Sequence, residues 1–266
     1  MVYFVGAGPG APDLITLRAD LLLRSADMII YAGSLVNPAL LDVAKPGCEL
    51  YDSAGMTLEQ VIEKIFDADQ KGRLTVRLHT GDPSIYGAVR EQMDELDKHG
   101  IAYEVVPGVS SMSAAAAVLN AEYTLPGVSQ SVIITRVGGR TPVPESESIA
   151  SLSAHNTTMV VFLSAGLLEK LVENLLEGGY PPDCPAAIVY KATWPEEKII
   201  RTTVIDLAGE AKREGIESTA LILVGGFLGS DHERSKLYHP EFSHGFRRGS
   251  RQDTSRQDTD GVDYEA

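Results

Sequence analysis

Residues Val5–Gly10 read "VGAGPG" and follow the apolar run Met1–Val5. With Ala11 they match Gly-x-Gly-x-x-Ala, the turn that cradles phosphate in dinucleotide-binding folds. That fold also needs an acidic residue at the end of its second strand, about 20 residues on, to hold the ribose. Here "IIYAGSLVNP" (29–38) puts Ala32, Gly33 and Ser34 in that place, and Asp27 precedes the strand. Pro9 and Pro12 further remove backbone donors from the turn that would face a pyrophosphate. On its own, the turn reads as a tight strand-to-helix connection that needs glycine for positive φ.

Two further strands in the same half end in similar turns, "LHTGDPSIYG" (78–87) and "VVPGVSS" (105–111). Asp82 before Pro83 suits a helix cap and first helical position, and Ser110 or Ser111 can cap the next helix. Capping does not explain why three crossovers gather small and polar residues at the carboxyl ends of strands, where open α/β sheets bind ligands. The pattern favours a small-molecule crevice.

Outward from these turns, strand-like runs at 2–5, 28–31, 74–78 and 102–106 alternate with helix-like stretches at 13–25, 57–69 and 84–98. This predicts an α/β fold with a largely parallel sheet. A run of alanines at 114–117 gives a helix with a thin face for close packing. "AEYTLPGVSQ" (121–130) then breaks the alternation and marks a domain boundary, with one α/β domain over 1–120 and a second over 121–229. In the second, strands are expected at "SVIITR" (131–136), 158–163, 186–190, 198–203 and 219–224. The turn "KATWPEE" (191–197) closes an antiparallel hairpin, so this sheet is mixed. Residues 230–266, with "SRQDT" repeated at Ser250 and Ser255, lack apolar periodicity and are expected to be disordered.

Composition narrows the class. The chain has 266 residues, 44% hydrophobic and 23% charged, which is enough for a sizeable core. A net charge of −14 excludes a general nucleic-acid or anionic-membrane surface, so an acidic ligand needs a local basic pocket. No apolar run approaches the roughly 20 residues of a membrane span, and the first residues read as a strand without a basic leader. The chain therefore reads as cytoplasmic. Its two cysteines, Cys48 and Cys184, signal neither a disulfide framework nor a metal site, and the six histidines form no ligand pair on a helix.

The ordered set "VGAGPGAPDLITLRA", "HTGDPSIYGA", "VVPGVSSMSAAAA" and "SVIITR" resembles the tetrapyrrole methylases, over 2–229. "YAGSLVNP", "YDSAGMTLEQ" and "GGRTPVPESESIASLSAH" are similar to the branch of that family that methylates precorrin-4 or its cobalt form at ring carbon 11. The resemblance implies two α/β domains with S-adenosylmethionine in the cleft between them, a tetrapyrrole substrate and a homodimer. It implies that the first glycine turn lies beside the cleft with Pro9 close to the cofactor. Further cofactor positions carried over by motif are Thr80, Gly81, Asp82, Ile85, Ser110, Ser111, Ser164 and Ala192; Ser164 departs from relatives that carry Met there. The implied substrate positions are Gly8, Ser34 and Arg136.

A sulfonium methyl donor needs in-line alignment with an electron-rich carbon more than it needs a nucleophilic side chain. Glycine-rich turns supply such alignment through backbone groups, and no residue is assigned as a catalytic acid or base. Relatives that act on uroporphyrinogen carry an Asp where this chain has Ala32, which argues against that substrate. The carboxylate arms of a precorrin call for positive charge at the cleft mouth, with Arg18, Arg136, Arg140 and Lys191 as candidates. His79 reads as a satisfied core or loop histidine, and Met56, Tyr86 and Met112 as packing residues.

Overall fold

The computed structural model describes residues 1–230 and 232–250. The first half forms β1 (Val2–Gly6), α1 (Leu17–Ser25), β2 (Met28–Tyr31), β3 (Glu49–Asp52), α2 (Leu58–Gln70), β4 (Thr75–His79), α3 (Arg90–Lys98), β5 (Tyr103–Val106) and α4 (Ser111–Leu119). Its sheet is parallel throughout, in the order β3-β2-β4-β1-β5. The second half adds β6 (Val132–Arg136), α5 (Ile149–Ser153), β7 (Thr158–Phe162), α6 (Leu168–Glu177), β8 (Pro185–Tyr190), β9 (Lys198–Thr203), α7 (Leu207–Glu214) and β10 (Ala220–Val224). The second sheet runs β6-β7-β10-β8-β9 and is mixed: β6 and β7 are parallel and every other pair is antiparallel, including the hairpin β8–β9.

Local sequence explains most of these elements. Thr57 caps α2 in a capping box with Gln60, and Val61, Ile62, Ile65 and Ala68 form its buried stripe. Ser110 accepts from Met112 N at the start of α4, as capping predicts. Strands β4 and β10 lie inside their sheets with all five residues buried, as central strands covered on both faces must be.

Alternation along the strands sorts the first core into two layers. Val5, Ile29, Val76 and Leu78 pack with α1, whereas Phe4, Met28 and Ile30 pack under α2 and α3. Helix α4 precedes the sequence boundary at 121 yet lays Ala114, Ala115 and Leu119 on β7, β8 and β10 of the second sheet. Its thin alanine face permits that approach and ties the two halves together.

The structure departs from the sequence reading in four local features. β3 was not foreseen: four residues at a sheet edge with two side chains exposed leave no periodic apolar signal. The helix expected over 13–25 starts at Leu17, where Thr16 accepts from Ala19 N. The helix expected over 84–98 starts at Arg90, because Tyr86 and Ala88 take left-handed φ of 55° and 49°. Asp82 therefore does not cap that helix. In the polar tail, residues 236–238 form a short 3-10 turn and Glu233 N donates to Pro126 O. Residues 231 and 251–266, also expected to be disordered, lie outside the described residues. Both cysteines are free.

Candidate functional site

The turns after β1, β4 and β5 meet at the carboxyl edge of the first sheet and are stitched together by backbone groups. Gly8 and Gly81 exchange N–H···O bonds of 3.2 and 2.8 Å, and Ala7 N donates to His79 O at 2.7 Å. The approach is so close that a Cβ on Gly108 would lie 2.2 Å from Gly81 O, and one on Gly6 2.5 Å from Gly108 Cα. Asp82 locks the third turn in place. One carboxylate oxygen accepts from Ser84 N (2.9 Å) and the Ser84 hydroxyl, and the other from Gly108 N (2.8 Å). Burial raises its pKa, but the bonds from Ser84 and Gly108 outweigh this and hold it below the usual carboxylate value.

The second half reaches onto the first glycine turn. Thr193 Oγ1 accepts from Ala11 N at 3.0 Å and Trp194 Nε1 donates to Pro9 O at 3.0 Å. Gly10 must be glycine here, since a Cβ would fall 2.1 Å from the Trp194 ring. The N–H groups of Ala7, Gly8 and Ala11 pair within the protein and Pro9 and Pro12 have none, which leaves the turn a single N–H, that of Gly10; it is a docking ledge and not a pyrophosphate cradle.

Between the two sheets lies a cavity of about 400 Å³. Its first-half wall holds Pro9, Leu35, Thr80, Gly81, Asp82, Ile85, Tyr86, Ser110 and Ser111; its second-half wall includes Phe162, Leu163, Ser164, Ala165, Val189, Lys191, Ala192, Trp194 and Leu221. All nine positions named above for the cofactor line this one cavity. Its volume and mix of apolar wall with a few polar groups suit a cofactor-sized organic molecule. Ser164 Oγ accepts from Val137 N (2.9 Å) and donates to Phe162 O (2.7 Å), so its hydroxyl is already engaged on both sides.

The substrate positions are less concentrated. Gly8 is buried against Gly81 and Ser34 is exposed beside Leu35; neither lines the cavity. Arg136 donates to Thr141 O (3.1 Å) and Pro142 O (2.8 Å), bracing the loop after β6, and its charge opposes the rise that burial gives the Tyr86 phenol. Lys191 lines the cavity, 5.3 Å from the Trp194 ring and 3.7 Å from Glu196. Arg18 pairs with Glu104 at 2.9 Å away from the cleft, and Arg140 does not line it.

A second cavity of about 280 Å³ opens beside the first, sharing Leu35, Thr80, Ile85 and Tyr86 with it. It lies on the α2 and α3 side of β4 and includes Arg77, His79, Glu91 and Gln92 in its lining. Arg77 is 7% exposed; its Nε donates to Gln92 Oε1 (3.0 Å) and its Nη1 to Ile30 O (3.1 Å). Burial brings its pKa down to about 10. His79 is 5% exposed, and burial and the Arg77 charge push its pKa down to about 3. Contrary to the sequence reading, His79 is not satisfied: its buried Nε2 has no hydrogen-bond partner. Tyr86, read as packing, is 45% exposed where the cavities join. Sequence reading passed over Arg77, although an arginine inside "LTVRLH", a strand buried on both faces, is itself the signal.

Backbone strain gathers around the same space. Of eight non-glycine residues with positive φ among the described residues, Tyr86, Ala88, Leu163, Lys191 and Thr219 line one or both cavities, and Thr193 holds the first glycine turn. Such conformations persist where surrounding structure enforces them, commonly at ligand sites. Among the described residues no group of three His, Cys, Asp or Glu side chains could hold a metal, and no helix is long and apolar enough to cross a membrane.

Comparison with known proteins accords with this geometry. Residues 1–208 match the model of the Tetrapyrrole (Corrin/Porphyrin) Methylases. A cobalt-precorrin-4 C(11)-methyltransferase of Methanocaldococcus jannaschii is 52% identical over 248 residues, 93% of this chain and 96% of the relative. A precorrin-4 C(11)-methyltransferase of a Sinorhizobium species is 45% identical, covering 92% and 98%. A solved cobalt precorrin-4 methyltransferase superposes with a TM-score of 0.84 at 47% identity over 86% of this chain and 96% of that one. A uroporphyrin-III C-methyl transferase from Thermus thermophilus, solved with S-adenosyl homocysteine, gives 0.70 at 29% identity over 85% and 92%.

Proposed function

The chain belongs to the tetrapyrrole (corrin/porphyrin) methylases, and from that premise we propose that it methylates ring carbon 11 of precorrin-4 or cobalt-precorrin-4 in cobalamin biosynthesis, using S-adenosylmethionine. The observation that carries the site assignment is convergence: Pro9, Thr80, Gly81, Asp82, Ile85, Ser110, Ser111, Ser164 and Ala192, drawn from five turns of two sheets, border one cavity. We assign them to the cofactor, with residues 1–120 and 121–229 as the two domains that enclose it.

When bound, S-adenosylmethionine would supply an electrophilic methyl group for in-line transfer to the ring carbon, with S-adenosylhomocysteine and a proton as the co-products. The chain's part is to hold both partners at that alignment. Asp82 fixes the turn at Thr80–Asp82 against Gly108, and the braced Ser110–Ser111 turn faces it. Apolar groups at Leu163, Val189 and Leu221 border the same space and limit water there. We place the macrocycle at the mouth, where Leu35 and Tyr86 join the two cavities, and keep Gly8, Ser34 and Arg136 as substrate positions on family resemblance. A homodimer in the cytoplasm completes the reading, supported by family resemblance and composition.

The test is incubation with methyl-labelled S-adenosylmethionine and enzymatically made precorrin-4 or its cobalt form. The expected product is heavier by one methyl group, located at carbon 11 by NMR. Label at another carbon, or none with either substrate, would sink the assignment.

A further inference from the structure

Arg77 is the only charged side chain in the buried set of described residues, and no carboxylate pairs with it. We propose that the cavity beneath the turn after β4 is an anion subsite that takes a carboxylate arm of the substrate, with Arg77 as its counter-charge and the His79 imidazole as a second donor. This rests on the tetrapyrrole reading above.

A buried charge is tolerated when an opposite charge or a full set of hydrogen bonds replaces its water. At Arg77 the replacement is partial. Ile30 O and Gln92 Oε1 take two of its nitrogens, and among the described residues Nη2 makes no hydrogen bond. Neither partner carries charge. Gln92 is in turn anchored through Nε2 to Ala88 O at 2.9 Å, so the guanidinium is held in a fixed orientation at the cavity wall. Glu91 lines the same cavity but is exposed and does not pair with Arg77.

His79, two residues on along β4, shares the face of Arg77 by strand alternation. Its imidazole is neutral near pH 7 and its Nε2 lacks a partner. A neutral imidazole carries one N–H, and an entering carboxylate favours the tautomer that places it on Nε2. One anion therefore meets three needs at once: the missing counter-charge, the unpaired Nη2 and the orphaned Nε2. About 280 Å³ accommodates an acetate or propionate side chain, and the shared wall at Leu35, Thr80, Ile85 and Tyr86 lets the arm enter while the ring stays at the cleft. The same chemistry would also recognise the carboxylate of the methyl donor, so the experiment separates the two.

Wild type, Arg77→Met and Arg77→Lys are compared for KM and kcat with the tetrapyrrole, and for S-adenosylhomocysteine affinity by calorimetry. Arg77→Met is expected to raise the tetrapyrrole KM by about tenfold to a hundredfold, with S-adenosylhomocysteine affinity unchanged, and Arg77→Lys to recover most of the loss. An unchanged KM overturns the subsite; an equal loss of S-adenosylhomocysteine affinity reassigns it to the donor and overturns it too. A second readout needs no turnover: the imidazole 15N shifts of His79 during a propionate titration. A shift in wild type that Arg77→Met abolishes supports the subsite, and no shift in wild type overturns it. If the shift is present while wild type methylates neither substrate, the proposed reaction fails and the subsite stands.

Discussion

The interdomain cleft and the cavity beneath it sit side by side, share four residues, and are built from opposite materials. The cleft is bordered by turns whose backbone groups and short side chains are already bonded to one another, as Gly8 is to Gly81 and Asp82 to Gly108. The lower cavity is bordered by long polar side chains on regular elements, Arg77 and His79 on β4 and Gln92 on α3, and their polar atoms are not all paired. A site made of turns defines a shape, so its weak points are steric. A site made of unpaired polar groups defines a charge, so its weak points are electrostatic. Substitutions that disturb only shape or only charge should therefore divide the two cavities.

The largest effect is expected where the turns touch. Gly108→Ala places a methyl 2.2 Å from Gly81 O and 2.8 Å from Gly6 Cα, and neither neighbour is a flexible side chain that can yield. Overpacking of this kind should cost about 3 kcal/mol of stability or more and abolish S-adenosylhomocysteine binding. Gly55→Ala, with nothing within 4 Å of the added carbon and no positive φ, should stay within about 0.5 kcal/mol of wild type. Thermal denaturation and calorimetry of the two variants check this; equal behaviour would mean that the turns are not the rigid part.

Asp82 comes next. Asp82→Ala removes the acceptor for Ser84 N and Gly108 N, and loss of bonds to a charged group should weaken cofactor binding by about 1.5–3 kcal/mol, roughly tenfold to a hundredfold. The pH dependence has a definite sign. The folded pKa lies below that of the unfolded chain, about 3.9, so the stabilisation is complete above that value and is lost as pH falls through the folded pKa. Asp82→Asn should flatten the acid limb of a melting-temperature profile between those two values. An acid limb unchanged in the variant would show that the carboxylate does not hold the turn.

The contrast between the cavities also governs what sequence could reveal. The glycine turns were legible because each needs residue types that few other positions demand, and their order along the chain is preserved in a recognisable set. The parallel first sheet and the mixed second sheet followed from apolar periodicity. What escaped was tertiary. Tyr86 and Ala88 are pulled into left-handed conformations that delay α3 to Arg90, and no local propensity announces this. Asp82 keeps a local bond from Ser84 N, but the helix it was expected to cap begins only at Arg90, and its second oxygen holds Gly108 N, 26 residues away. His79 reads as satisfied because burial shows in a sequence pattern, whereas a missing partner shows only in the folded chain. Arg77 was the avoidable omission, a charge within a run that otherwise reads as interior strand.

Arg136 tests the mouth where the cavities meet. Its guanidinium braces Thr141 and Pro142 and acts on Tyr86 from outside the cleft lining. Arg136→Ala should raise the tetrapyrrole KM by a few fold, about 1 kcal/mol, with calorimetric affinity for S-adenosylhomocysteine unchanged. Equal loss of both would place Arg136 with the cofactor turns.

The last expected effect concerns Trp194, the chain's single tryptophan, which belongs to the cleft wall and to the latch between halves at the same time. Trp194→Phe keeps an aromatic ring against Gly10 but removes the bond to Pro9 O, which should cost about 0.5–1.5 kcal/mol. Thr193 Oγ1 still holds Ala11 N, so the first glycine turn keeps one of its two ties and the halves stay docked. In wild type the indole borders the cleft and not the lower cavity, so its emission should respond to S-adenosylhomocysteine and stay constant when propionate is added. An emission change with propionate would mean that the lower cavity communicates with the latch, and shape and charge would then no longer be separable in this protein.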